Sequence, residues 1–299
     1  VLSAIPLLGE ALSILTAIIW AFAVTLFKKS GESVHPLALN AFKNLLAITL
    51  LIPTIWLLRQ PILTTASSDV YMTLFLSGAI GIGIGDTLFF KSLNALGASL
   101  TGIVVCFYSP CIIIFSFIWL NESLTTMQLF GVLLIICAVL ITTVRPKKNA
   151  TVTTTKILSG VVYGILASAA MAAGVILMKP LLNAYPVVWV AEIRLVGGTA
   201  VVALVLLLHR HRKTIANSLI KTRNWNYTIL GSFFGAYLSM TIWIAGMKYT
   251  QASVASALNQ TSTIFIFIFA GLILREPMTL RRTLGIVIAF AGAFLVSFY

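Results

Sequence analysis

Apolar residues in this chain run on without the alternation of a half-buried strand. Stretches such as "FGVLLIICAVLITTV" (130–144) and "TIFIFIFAGLIL" (263–274) are continuously hydrophobic. A helix needs about 20 mostly apolar residues to cross a bilayer, and runs of that length recur along the chain. They predict ten spanning helices, at 6–27, 37–58, 70–90, 98–120, 125–144, 157–178, 186–208, 227–247, 253–274 and 281–299. A membrane barrel would instead show short segments of alternating polarity.

Composition supports the same class. Over 299 residues, 60% are hydrophobic and 9% charged, with a mean hydropathy of +1.05. That is too little polar surface to cover a soluble globule, so the fold class is all-α integral membrane. The first span lacks a basic stretch before it and a small-residue cleavage pattern after it, so it is expected to stay in the bilayer. The chain begins at Val1, and residues before it are expected to be missing. The net charge of +13 sits at span ends, which argues for membrane topology and against a nucleic-acid partner. Cys106, Cys111 and Cys137 fall inside spans with no disulfide or metal spacing, and His209 and His211 in the basic "HRHRK" form no metal pair. Neither a metal nor a cofactor is expected.

The chain repeats itself. Residues 81–140 align without a gap on 235–294 at an offset of 154, pairing Gly81 with Gly235, Ala98-Ser99 with Ala252-Ser253, Glu122 with Glu276 and Gly131 with Gly285. Upstream the offset is 151, pairing Gly9 with Gly160, Lys28 with Lys179 and Lys43 with Arg194. The expected organisation is a first five-helix repeat over 1–146, a basic linker over 147–156 and a second five-helix repeat over 157–299. An odd number of spans per copy inverts the second copy, so a pseudo-two-fold axis lies in the membrane plane. Secondary transporters use this arrangement, with the solute site at mid-membrane between the repeats.

The residues also carry a family resemblance. Trp20 in "AIIWAFAVTLFKKS", the basic residue early in the second span of each half ("NAFKNLLAITL", "AEIRLVGGTAV"), and the paired blocks "SLNALGASLTGIVVCFYSPCIIIFSFIWLNESLT" and "GMKYTQASVASALNQTSTIFIFIFAGLILREPMT" span almost the whole chain. In these the chain resembles the drug/metabolite transporter superfamily, specifically its EamA type with two five-span domains. The resemblance implies a secondary transporter of amino acids, sugars, nucleotide sugars, purines or drugs, and it implies a proline near the middle of the fourth and ninth spans. Pro110 matches and Ile264 does not, which leaves a kink shared by both halves open.

Lysine and arginine counts give an orientation. Loops after odd-numbered spans hold fifteen and loops after even-numbered spans three, namely Arg59, Lys179 and Lys248. The positive-inside rule then places both termini outside a plasma or inner membrane, although the resemblance implies termini in the cytoplasm. A single copy holds both repeats, which suffices for a pore; the oligomeric state is open.

Charge inside hydrocarbon costs about 2.5–3.5 kcal/mol per group on insertion scales, so Lys43, Asp86, Glu192 and Arg194 need partners or uses. They are the candidates for gating or charge coupling. Lys43 and Arg194 are expected on opposite sides of the midplane, very roughly 15–20 Å apart by helix rise, too far for one small solute to touch both. Asp86 is expected near the depth of Lys43, as an ion pair. The uncharged candidates for a solute cavity are Tyr108, Ser109, Asn259, Gln260 and Thr263 at the centres of the fourth and ninth spans, with Tyr237 and Trp243 as an aromatic wall. Amides and hydroxyls there offer donors and acceptors to a polar solute. Glu122 and Glu276, in matching turns, read as helix-start acids.

The run "GAIGIGIGD" (78–86) lacks the strand, helix and glycine spacing of a phosphate loop. Gly78, Gly81 and Gly85 share roughly one helix face and predict close helix packing, while Asp86 has Met240 as its repeat mate. The leading expectation is a secondary active transporter of small polar metabolites, amino acids among them, working by alternating access as an exporter. The alternatives are a membrane enzyme acting on a lipid, for which a catalytic cluster is lacking, and a channel or scaffold.

Overall fold

The computed structural model describes residues 7–59, 64–120, 125–143, 154–250, 255 and 258–298. Among them all regular structure is helical. Seven helices are long and apolar enough to cross a membrane: Leu8–Ser30, Pro36–Leu57, Ser68–Leu96, Ala98–Trp119, Thr155–Leu181, Val187–Leu208 and Trp225–Tyr249. Thr126–Thr143, Ser262–Leu274 and Leu280–Phe298 fill the fifth, ninth and tenth positions. The expected spans are therefore present, with two differences. The third runs six residues past its expected end, to Leu96, which moves Asp86 toward mid-helix. A separate amphipathic helix, Arg212–Ile220, occupies what the sequence suggested was a basic loop, held down by buried Ile215.

Local chemistry explains the boundaries. His35 caps the second span by accepting the Leu37 N–H on Nδ1 at 3.3 Å, and Pro36 follows where a missing N–H is harmless. The fourth span breaks after Val105 and resumes at Tyr108. Pro110 cannot donate to the carbonyl of Cys106 and its ring crowds that carbonyl, so Cys106 O accepts instead from Ser109 N at 3.3 Å. The ninth span turns at the matching place, Thr261, without a proline. Thr261 N donates to Leu258 O at 3.1 Å, and its hydroxyl donates to the same carbonyl at 2.6 Å. The break is shared although the proline is not.

The repeat is visible in elements as well as in letters. Ala79–Gly85 is a π-helical segment within the third span, and Phe233–Ser239 is another within the eighth. They sit at the offset of 154 read from the sequence, as do Tyr108–Leu120 and Ser262–Leu274. A π turn widens the helix and frees backbone carbonyls. In the third span Asn40 gathers them, its Nδ2 donating to Ile82 O at 3.0 Å, Gly83 O at 3.2 Å and Thr87 Oγ1 at 2.8 Å.

Small residues set how close the spans come. A Cβ on Gly174 would lie 2.7 Å from Ser77 O and 2.9 Å from Gly81 Cα, where the third and sixth spans cross. The related crossing of the eighth and first spans brings Gly235 against Ala23, at 3.1 Å from an added Cβ. A Cβ on Gly78 would fall on the Arg194 carbonyl, and one on Gly197 on the Phe75 carbonyl. The fifth and tenth spans pack chiefly on each other, with Gly292 against the Gly131 carbonyl, and present Leu129, Leu133 and Leu284 outward.

Glu276 does not serve the start of its own span. Its carboxylate crosses to the N-terminus of the fourth, accepting from Ala98 N at 2.7 Å, Ser99 N at 3.1 Å and Ser99 Oγ at 2.7 Å. Arg282 lies 3.5 Å away on the other side. Glu122 lies outside the described residues.

Gly78→Ala should lower the melting temperature by an amount equivalent to about 1–3 kcal/mol, as overpacking does, despite the roughly 1 kcal/mol that alanine gains in a helix interior. Gly102→Ala, whose Cβ would meet Ile266 at an ordinary 3.5 Å, should be neutral or stabilising in the same thermal scan. Glu276→Ala should destabilise by about 1–2 kcal/mol, in the range of lost N-caps, and Glu276→Gln by less, since one amide oxygen still accepts.

Candidate functional site

Every span except the fifth and tenth contributes to one cavity inside the bundle. Its volume is about 170 Å³, on a measure where one water needs about 10–15 Å³. Both π segments border it, through Gly81 and Ile82 on one side and Gly235, Ala236 and Ser239 on the other. Trp20, Phe89 and Trp243 supply aromatic wall, and Lys43, Asp86 and Arg194 supply its charges.

Lys43 enters from the second span, 4% exposed. Its ammonium donates to Asp86 Oδ2 at 2.7 Å and to Asn44 Oδ1 at 2.6 Å. The expected pair is thus formed between side chains that are 5% and 15% exposed. Arg194, also 4% exposed, donates from Nε to Ser77 Oγ at 2.9 Å. Ser77 passes its own proton on to the Gly174 carbonyl at 2.5 Å, so one hydroxyl ties the third, sixth and seventh spans to the guanidinium.

Lys43 and Arg194 were expected on opposite sides of the midplane, too far apart for one small solute to touch both. Both line the same cavity, and Asp86 lies within electrostatic reach of Arg194. The long side chain carries the Arg194 guanidinium from the seventh span across to Ser77 on the third.

Other candidates divide. Tyr108, Asn259, Gln260 and Trp243 line the cavity. Ser109 lies behind it, accepting from Gln260 Nε2 at 2.6 Å. Thr263 packs between spans, donating to Gly102 O at 3.4 Å with Cys106 Sγ 3.5 Å away. Tyr237 bonds Thr54 Oγ1 at 2.8 Å and is not on the wall. Glu192 is also off the wall, with a buried Oε2 that has no partner among the described residues. Of the lining residues, Tyr108 and Asn259 likewise have a hydroxyl and an Oδ1 that are buried without partners among the described residues.

Sequence reasoning missed Ser77 and Asn40, because a serine or asparagine in a helix announces nothing until its partner is known. Thr16, Ser239 and Ser262 on the wall were missed for the same reason. Among the described residues no group of three or more His, Cys, Asp or Glu is placed to hold a metal.

Comparison with known proteins fits this architecture. The model of the EamA-like transporter family matches residues 7–144 and again 158–298. The chain belongs to the EamA-like transporter family. An uncharacterized transporter from Archaeoglobus fulgidus is 24% identical over 285 residues, covering 95% of this chain and 96% of its own. A protein of known crystal structure superposes with a TM-score of 0.69 at 15% identity, covering 96% of this chain and 95% of that one, which speaks to the fold alone. This EamA-like chain is therefore a multi-pass membrane transporter rather than an enzyme.

The Lys43–Asp86 pair gives a direct test in purified transporter. Asp86→Asn leaves a buried ammonium without its counter-ion and should cost about 3–5 kcal/mol, the usual penalty for breaking a buried pair from one side. Adding Lys43→Met to that variant should recover a substantial part. A melting series over the two single variants and the double one measures the coupling.

Proposed function

We propose that this EamA-like transporter moves small polar organic solutes, amino acids among them, outward across the plasma or inner membrane by alternating access. The observation that carries the reading is that two repeat-related π segments both line one cavity inside the bundle. Widened turns are where helices bend and where binding residues concentrate. Inverted repeats that flank a central site are the means by which a carrier exchanges its open face. The cavity's charges, its unpartnered Tyr108 and Asn259 groups and its aromatic walls suit a solute with a polar head and an apolar body. Binding through a few placed polar groups in a mostly apolar pocket is the common pattern for small molecules.

Outward movement rests on the resemblance to exporting relatives, and termini on the outside rest on the basic residues gathered at one membrane face. One copy encloses the cavity, so a monomer supplies a complete path.

The reading predicts saturable flux of amino acids or related solutes in proteoliposomes, accelerated by unlabelled solute on the far side. A carrier must return through the same cavity, and this exchange shows it. Flux that rises linearly without saturation would indicate a channel, and absence of flux across amino acids, sugars and organic anions would sink the proposal.

A further inference from the structure

The duplicated architecture bears on which solutes the cavity accepts. Lys43 and Arg194 are repeat mates, and so are Asp86 and Met240. In the first half the basic residue and its acid form a complete ion pair at 2.7 Å. In the second half a thioether stands where the acid would be. Arg194 has no carboxylate within ion-pair distance among the described residues. Its Nε is committed to Ser77, and neither Nη atom makes a hydrogen bond among the described residues. Arg194 and Met240 both line the cavity, together with Tyr108, which is 9% exposed with an unpartnered hydroxyl.

The charges do not balance. Lys43 and Arg194 oppose one acid, Asp86, so the cavity wall holds one uncompensated positive charge in a medium where that is costly. We propose that the solute supplies the missing acid: a carboxylate received by the two Nη groups of Arg194 as a fork, with the Tyr108 hydroxyl as a further donor. This inference rests on the transport reading and names its substrate class, monocarboxylic acids with an apolar or aryl body. Trp20, Phe89 and Trp243 face that body. An amine on the solute is not required, because Asp86, the one acid on the wall, is already engaged by Lys43.

The test uses the purified full chain and three probes that share a ring: phenylacetate, phenethylamine and phenyl phosphate. Phenylacetate at millimolar concentration should raise the melting temperature, and phenethylamine should not. Met240→Asp places an acid where the first half has one. It should raise the melting temperature of the ligand-free protein and weaken phenylacetate about tenfold or more relative to Met240→Asn, the difference isolating charge from shape. Arg194→Gln should abolish the phenylacetate shift. If that variant fails to fold, the Met240 pair still decides. The proposal is overturned if phenylacetate gives no shift in the unaltered protein, if the amine or the phosphate stabilises as well or better, or if the two Met240 variants bind phenylacetate alike. Proteoliposome flux separates this from the transport reading. A carboxylate that binds but does not move would count against transport alone, and saturable flux of solutes without a carboxylate, with no acid binding, would count against this site alone.

Discussion

Backbone lying directly on backbone is the contact from which the rest of this bundle follows. Between helices in lipid there is no hydrophobic drive of the kind that folds soluble cores, so association depends on how closely the surfaces meet. The third span meets the sixth and seventh at Gly78, Gly174 and Gly197, where an added methyl would collide with a carbonyl or an α-carbon. That closeness places Ser77 between the Gly174 carbonyl and the Arg194 guanidinium. A looser crossing would leave the guanidinium to find water at the membrane face. The placing of Arg194 on the cavity wall thus depends on missing side chains at these crossings.

The same crossing explains why the helices can carry π segments at all. Freed carbonyls in a bilayer need internal donors, and the first half provides one in Asn40. Its repeat mate is Ala191, which has nothing to donate. The two halves therefore hold related irregularities by different means: the segment at Ala79–Gly85 is clamped by a side chain from the second span, while Phe233–Ser239 lacks that clamp. A pseudo-symmetric carrier needs two arrangements of similar free energy, and unequal clamping of matching segments biases which half is the stiffer frame.

Much of this was legible in the sequence. Runs of apolar residues gave the ten positions because length and hydropathy are local properties. The offset of 154 holds also for the π segments, which the sequence did not announce, and for the breaks in the fourth and ninth spans, which it left open. Ile264 replaces the expected proline, yet the turn at Thr261 survives on hydroxyl and i−3 backbone bonds. Partners were harder. Glu276 looked like the start of its own helix and instead caps the fourth span, more than half a chain earlier. Lys43 and Arg194 were placed by the depth of their α-carbons, and the structure shows both on the wall of one cavity. Spacing fixes where a residue sits along a helix, and only packing fixes what its far end touches.

An acid in one half only, Asp86 against Met240, has a physical logic of its own. Two copies of a basic residue paired with a carboxylate would fill the centre of the bundle with two closed pairs, each satisfied and neither in need of a ligand. Holding one pair closed keeps Lys43 from competing for the solute and fixes the second and third spans together. Opening the other leaves a guanidinium whose desolvation is already met by folding, so a bound anion gains its attraction without that added cost. Methionine at 240 serves this better than an aliphatic branch would, because its unbranched, adaptable side chain can yield space as the cavity fills and empties. The asymmetry between the halves, rather than the symmetry that reveals them, leaves one basic residue of the cavity wall paired and the other without a carboxylate among the described residues.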